Sequence, residues 1–250
     1  MIDINPTICG PVRLKQHLSY HFRYHYITIL RDPVKRFLSE WKHVQRGATW
    51  KTARLFCGGR SPTMKEVAPC YNTTDWSDVT LNEFLACHGN LARNRQTRML
   101  ANLSLVNCYN TSAMEQDKRD QIMLESAKEN LLKMAYFGLT EFQVYTQRLF
   151  EYSFELEFND DFSQIPVTHS DRSVINERQK EEILHQNKLD IALYQYAKDL
   201  FLQRVRKMKS VLGDNEMIVH DYNDDTKDRF DDSVDINEDD DGDNDDDSYL

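Results

Sequence analysis

The most sharply patterned stretch of the chain is Ile27–Val44. An apolar run, Ile27 to Leu30, stops on Arg31-Asp32-Pro33, and Val34, Phe37, Leu38, Trp41 and Val44 then recur at helical spacing. Pro33 suits the first turn of a helix, where its missing N–H costs nothing, and Asp32 suits the N-cap. The pattern predicts a buried strand, a tight turn and a helix between Tyr24 and Arg46. Arg31 then falls at the carboxyl end of the strand, the end at which open α/β sheets bind ligands.

Away from this unit the periodicity changes repeatedly. Residues 1–23 read as loop, with Pro6, Gly10 and Pro11 as breakers. Gly47–Asp78 is a polar excursion holding Cys57, Gly58, Gly59, Pro62 and Pro69, with nothing to order it unless it is cross-linked. Thr80 and Glu83 form a capping box that opens a short helix through Ala86. Asn90–Leu103 reads as a helix with Leu91, Met99, Leu100 and Leu103 inward and Arg93, Asn94, Arg95 and Arg98 on the polar side. Arg119–Met134 is amphipathic through Ile122, Leu124, Ala127 and Leu131. Tyr136–Leu139 is a second buried strand, and Thr140 with Gln143 reads as the cap of a helix bearing Phe142, Leu149 and Phe150. Phe158–Asp171 is loop-like. Helices resume at Val174 and end near Lys209, with Leu189, Leu193, Tyr196, Leu200 and Phe201 as their apolar side. Short strands among longer helices predict an α/β class with a parallel sheet flanked by helices, spanning residues 24–210.

Charge divides the chain. The formal net charge is −10. From Asp221 to Leu250, however, 14 Asp and one Glu face only Lys227 and Arg229, so residues 1–220 carry a net of +3. The segment 211–250 has too few apolar residues to offset its ordering entropy and is expected to be an acidic disordered tail. It contains no Gly-punctuated loop of the EF-hand type. The remaining domain is mildly basic, compatible with a polyanionic ligand without demanding one.

The five cysteines, Cys9, Cys57, Cys70, Cys87 and Cys108, form no CxxC and no tight Cys/His cluster, which argues against zinc. Three glycosylation sequons begin at Asn72, Asn102 and Asn110. With the cysteines, they suggest a secretory-pathway protein. Met1–Tyr20 has no signal-peptide core and no run of about 18 apolar residues.

The chemistry centres on Arg31 and Ser39. An Arg that cannot lose its charge, with a hydroxyl donor two turns along the helix, suits a phosphate dianion. The run LRDPVKRFLSEWKHVQRGATWK resembles the heparan sulfate 6-O-sulfotransferases, and the resemblance continues through CYNTTDW, NLARNRQTRMLANLSLVNCYN, KRDQIMLESAKENL, FGLTEFQ and LYQYAKDLF. It covers most of residues 24–206.

That resemblance implies a P-loop-like sulfotransferase fold, here lacking its first strand and phosphosulfate loop, and hence an N-terminally incomplete family member. It implies PAPS (3′-phosphoadenosine 5′-phosphosulfate) as donor, with Arg31 and Ser39 on the 3′-phosphate. The acceptor would be the 6-hydroxyl of glucosamine in heparan sulfate, bordered by His43 and Trp50. The late cofactor-binding segment would fall at Ser163, Gln164, Ile165, Pro166, Thr168, His169 and Ser170, where Pro166 and His169 depart from the family pattern. The base His and the phosphosulfate-loop Lys would lie upstream; His17, His21, His25 and GPVRLK at Gly10–Lys15 do not match those motifs. No metal is required, and no nucleic-acid partner is implied. The family also implies a type II single-pass Golgi membrane protein with a lumenal domain, and favours the local disulfides Cys57–Cys70 and Cys87–Cys108, with Cys9 left over.

Two other readings stand beside this one. The chain could be a non-catalytic heparan- or partner-binding remnant of the same scaffold. A nucleotide-dependent kinase is disfavoured, since no GxxxxGK[ST] or DFG-like metal site occurs. Arg46, Lys51, Arg93, Arg95 and Arg98 are generic polyanion candidates, to be weighed against a solvated helix face.

Overall fold

In the computed structural model, residues 25–50, 55–162 and 175–213 are described. Strand β1 (Ile27–Leu30) leads into helix α1 (Pro33–Gln45). The excursion follows, then α2 (Leu81–Ala86), α3 (Arg95–Leu100), α4 (Gln116–Lys133), β2 (Tyr136–Leu139), α5 (Gln143–Phe154), α6 (Glu177–Gln186) and α7 (Lys188–Leu212). The two strands pair in parallel from Ile27 opposite Tyr136 to Leu30 opposite Leu139. This is the α/β arrangement with a parallel sheet that the sequence predicts.

Burial explains the strand pairing. All four residues of β2 are buried, and Leu30 of β1 lies against the same core, with Leu131 of α4, Leu149 of α5 and Leu193, Phe201 and Met208 of α7. Gly138 is required there, because a Cβ would collide with the side chains of Thr146 and Tyr136. Thr146 uses that closeness: its hydroxyl accepts from Leu139 N–H at 3.0 Å and donates to Leu139 C=O at 2.8 Å. Ile27 and Ile29 remain 51% and 57% exposed, so β1 is not the buried strand its apolar run predicts: only Leu30 reaches the core.

A second core lies under α1. Phe37, Leu38, Trp41 and Val44 pack with Phe84 and Leu85 of α2 and Ile183 of α6. Trp41 Nε1 donates to the Val79 carbonyl at 2.9 Å, tying the helix to the end of the excursion. The Thr80–Glu83 capping box forms as its sequence predicts.

Several expectations are corrected. The disulfides are Cys57–Cys108 and Cys70–Cys87, not the two sequence-local pairs. Loop length alone favours the local pairs, but the surrounding structure decides which sulfurs meet. Cys87 ends α2, and the adjacent Gly89 packs directly on the Ala68 backbone, which brings Cys70 to it. Cys108 follows the short 3₁₀ turn Leu103–Val106, held because the Arg119 guanidinium of α4 donates to the carbonyls of Val106 and Cys108. The tight Cys57–Arg60 turn, with Gly58 and Gly59 at positive φ, presents Cys57 to it. Cys9 lies outside the described residues.

The helix expected over Asn90–Leu103 is shorter. It begins at Arg95 because Asn94 takes the left-handed conformation, φ +44°, and Met99 is exposed, not inward. Its arginines do not form a solvated face. Arg93 donates to the Leu85 carbonyl at 2.5 Å, and Arg98 donates to that of Leu91. Burial pulls both guanidinium pKa values below the usual arginine value. Nor does Thr140 cap the next helix: Thr140–Phe142 form a 3₁₀ turn, and α5 starts without a side-chain cap. The Thr140 hydroxyl donates instead to Glu141 at 2.9 Å.

Candidate functional site

The site begins where the sheet ends. Arg31 is half-buried, one residue beyond the last pair of β1, and Asp32 starts α1 by accepting from Lys35 N–H at 2.9 Å. Burial, with Glu141 adding to it, raises the Asp32 carboxyl pKa from its ordinary value, and the Lys35 N–H opposes that rise. The first turn of α1 carries no acidic residue. Its N-terminal N–H groups and dipole favour an anion.

Ser39 lies half-buried two turns into α1, and His43 follows one turn later, exposed. At 3.6 residues per turn, Lys35, Ser39, Lys42, His43 and Arg46 share one stripe opposite the buried face of Pro33, Phe37, Leu38 and Trp41. The sequence reading singled out Ser39, His43 and Arg46 but missed Lys35 and Lys42. The helical periodicity that placed the apolar residues would have placed these too. Lys42 Nζ sits 4.2 Å from the centroid of the Trp41 ring and 3.5 Å from Gln45 Oε1. Arg46 Nη2 is 3.3 Å from His43 Nδ1. The stripe is cationic along its whole length and extends from the strand end to the C-terminus of α1.

Trp50 packs beside Glu40, in the middle of α1, against the core under that helix. Its ring packs with Trp76, centroids 6.5 Å apart, and with Phe84 at 5.8 Å, and its Nε1 donates to Glu40 Oε1 at 3.0 Å. Glu40 also accepts from Arg95 at 2.8 Å and from Arg36 at 2.7 Å. The Arg36 guanidinium donates further to the Ala92 carbonyl at 2.6 Å and to Asn187 Oδ1 at 3.1 Å, and its Nε faces Asp190 Oδ2 at 3.6 Å. Burial lowers the Arg36 pKa from its usual value, opposed by Glu40 and Asp190. Arg95 is thus paired to a carboxylate beneath the stripe, while Arg93 and Arg98 hold backbone carbonyls away from it.

Other candidates fall elsewhere. Ser163, Gln164, Ile165, Pro166, Thr168, His169 and Ser170 lie outside the described residues, as do His17, His21, Gly10–Lys15 and Lys51. His25 is exposed and meets the Phe154 ring edge-on, centroids 5.7 Å apart. A cavity of about 630 Å³ between Ile29, Thr140 and Phe162 is lined, among the described residues, by Asp160 and Asp161 and by no cation. Among the described residues, no group of three or more His, Cys, Asp or Glu side chains is placed to hold a metal ion.

Comparison with known proteins bears on this geometry directly. The chain is 54% identical over 200 residues to heparan-sulfate 6-O-sulfotransferase 3-B of Danio rerio, covering 79% of this chain and 48% of that protein. It is 55% identical over 206 residues to the human heparan-sulfate 6-O-sulfotransferase 3, covering 82% and 44%. Against human heparan-sulfate 6-O-sulfotransferase 1 the identity is 57% over 202 residues, covering 79% and 49%. The chain spans about half the length of these curated relatives. Residues 11–197, three quarters of the chain, match the sulfotransferase family profile, and the chain belongs to that family.

Proposed function

We propose that the chain serves PAPS-dependent transfer of sulfate to the 6-hydroxyl of glucosamine residues in heparan sulfate, within a P-loop-like sulfotransferase fold. The carrying observation is the cationic stripe of α1, which begins at Arg31 in a chain 54–57% identical to heparan-sulfate 6-O-sulfotransferases. PAPS supplies an activated sulfuryl group together with a 3′-phosphate dianion by which it can be held. The residues fit the latter: an obligate cation, Arg31, precedes the helix, a hydroxyl, Ser39, lies two turns into it, and the first turn between them carries no acidic residue. Asp32, the nearest carboxyl, is engaged as the N-cap of α1, accepting from Lys35 N–H at 2.9 Å. Ser163, Gln164, Ile165, Pro166, His169 and Ser170 are proposed to complete the nucleotide site.

Further along the stripe, Lys42, His43 and Arg46 attract a sulfated chain, and the Trp50 edge gives it an apolar border. Sulfuryl transfer in line gains most from holding donor and acceptor in register. No residue here is assigned as the general base. Oxidised cysteine pairs and sequons at Asn72, Asn102 and Asn110 support maturation as a glycoprotein in the secretory pathway, with the Golgi lumen as the working compartment.

The test has two parts. Binding of adenosine 3′,5′-bisphosphate (PAP), the desulfated product of the donor, is expected to weaken on Arg31→Ala by about 1.5–3 kcal/mol, the worth of a charged hydrogen bond to phosphate. Labelled sulfate from PAPS is then followed onto N-sulfated heparan and located by lyase disaccharide analysis. Label at the 6-position supports the transferase. PAP binding with salt-sensitive heparan binding but no transfer supports the binding-only reading.

A further inference from the structure

Arg31 lies one residue past the final strand pair, Leu30 opposite Leu139, so its backbone cannot take its geometry from the sheet ladder. Gln96 of α3 supplies the partners instead. Arg31 N–H donates to Gln96 Oε1 at 2.9 Å, and Gln96 Nε2 donates to the Arg31 carbonyl at 2.9 Å. One primary amide thus answers both backbone groups, as a neighbouring strand would. A carboxylate could accept but not donate, and an aliphatic side chain could do neither.

Gln96 is itself held by reciprocal capping between two helices. The Gln96 and Thr97 N–H groups, at the start of α3, donate to the Asp190 carboxylate at 3.1 and 2.7 Å. Asn94 Oδ1 in turn accepts from the Leu189 and Asp190 N–H groups at the start of α7, at 3.0 and 3.3 Å. Neither α3 nor α7 is capped by the side chain of its own N-cap residue. Helix α7 borrows Asn94, the N-cap residue of α3, and α3 borrows Asp190 from the first turn of α7; Asp190 is 0% exposed, so this junction has little freedom to shift.

We infer that Gln96 is a positioning residue for the nucleotide grip: it fixes the Arg31 backbone, and therefore the point from which the guanidinium reaches the 3′-phosphate, while Asp190 fixes Gln96. This inference rests on the reading of Arg31 as the phosphate grip. The contact is 65 residues apart in sequence and is not part of any helix or strand ladder.

The experiment measures PAP affinity by calorimetry on the full chain with its disulfides intact, for wild type, Arg31→Ala, Gln96→Leu, Gln96→Glu and the double variant Arg31→Ala/Gln96→Leu, each with a thermal melt. Gln96→Leu is expected to weaken PAP about tenfold or more at a temperature where the variant is folded. Gln96→Glu, which keeps one of the two bonds, should fall between it and wild type, and it carries the test if Gln96→Leu does not fold. Because Gln96 acts through the Arg31 side chain, the two losses should not add: the double variant should bind about as well as Arg31→Ala alone. A merely structural Gln96 would lower the melting temperature and leave the affinity of the folded protein unchanged. Wild-type affinity in Gln96→Leu and Gln96→Glu, or fully additive losses, overturns the inference while Arg31→Ala still weakens binding. Unchanged affinity in Arg31→Ala, or no PAP binding by wild type, overturns the reading of Arg31 itself, and the inference with it.

Discussion

The sheet half of the molecule and the cysteine-rich excursion are ordered by different physics. Around β2, regular elements bury Phe137, Leu139, Leu131, Leu193, Phe201 and Met208 completely or nearly so, and the hydrophobic effect suffices. Between residues 55 and 80 no helix or strand longer than a bridge forms. Order there comes from two disulfides and from an aromatic wall in which Tyr71 stacks on Trp76, centroids 5.6 Å apart, and Trp76 meets Phe84 at 5.7 Å. Helix α1 spans the two regimes: its start continues from the sheet, and its buried face packs on the core that the excursion covers. The polar stripe on that helix therefore depends on both regimes at once.

The comparison breaks most visibly at Phe201. Phe201→Ala should cost about 3–5 kcal/mol, because α7 cannot collapse into the space left. Chemical denaturation with an unchanged m value would measure it. A loss below about 1 kcal/mol would mean that the sheet half is not held by its apolar core.

Removing the cross-links should act on the other half. From loop-closure entropy, Cys57→Ser with Cys108→Ser should cost about 4 kcal/mol for a separation of 51 residues, and Cys70→Ser with Cys87→Ser about 3 kcal/mol for 17. On reduction, limited proteolysis should cut between residues 55 and 90 before it cuts α7. Simultaneous cutting would erase the distinction between the regions.

The smallest effect sharpens the comparison through pH. The Arg60 guanidinium, with the Thr63 N–H, holds the Glu66 carboxyl down to about 2. A depressed carboxyl contributes above its ordinary pKa, near 4.5, and that contribution is lost as pH falls through about 2. Amide exchange over residues 60–67 should quicken across that window. Glu66→Gln should remove the pH dependence and leave exchange in β2 and α7 unchanged.

Much of the architecture was readable locally. The breaker Arg31-Asp32-Pro33, the two apolar tetrapeptides and the Thr80–Glu83 box each carry their signal within a few residues, so β1, α1, β2 and α2 lie where the pattern puts them. The stripe Lys35, Ser39, Lys42, His43 and Arg46 was equally local, although only part of it was singled out. Arg95 and Arg98, three apart on a short helix, looked like a polar face because helical spacing says nothing about what a guanidinium meets. Glu40 and the Leu91 carbonyl, which they meet, are set by packing.

By itself, then, the sequence determined the uneven spread of charge between residues 1–220 and 221–250, and most element types and the strand–turn–helix unit that carries Arg31, since the latter follow from propensity and periodicity over short spans. Tertiary structure alone decided which cysteines pair, why α3 begins at Arg95, and that Gln96 holds the Arg31 backbone. Those outcomes rest on partners 51, 93 and 65 residues apart, brought together only when α3, α4 and α7 pack. No local preference encodes them, because the energy that selects each one exists only after the chain has closed those loops.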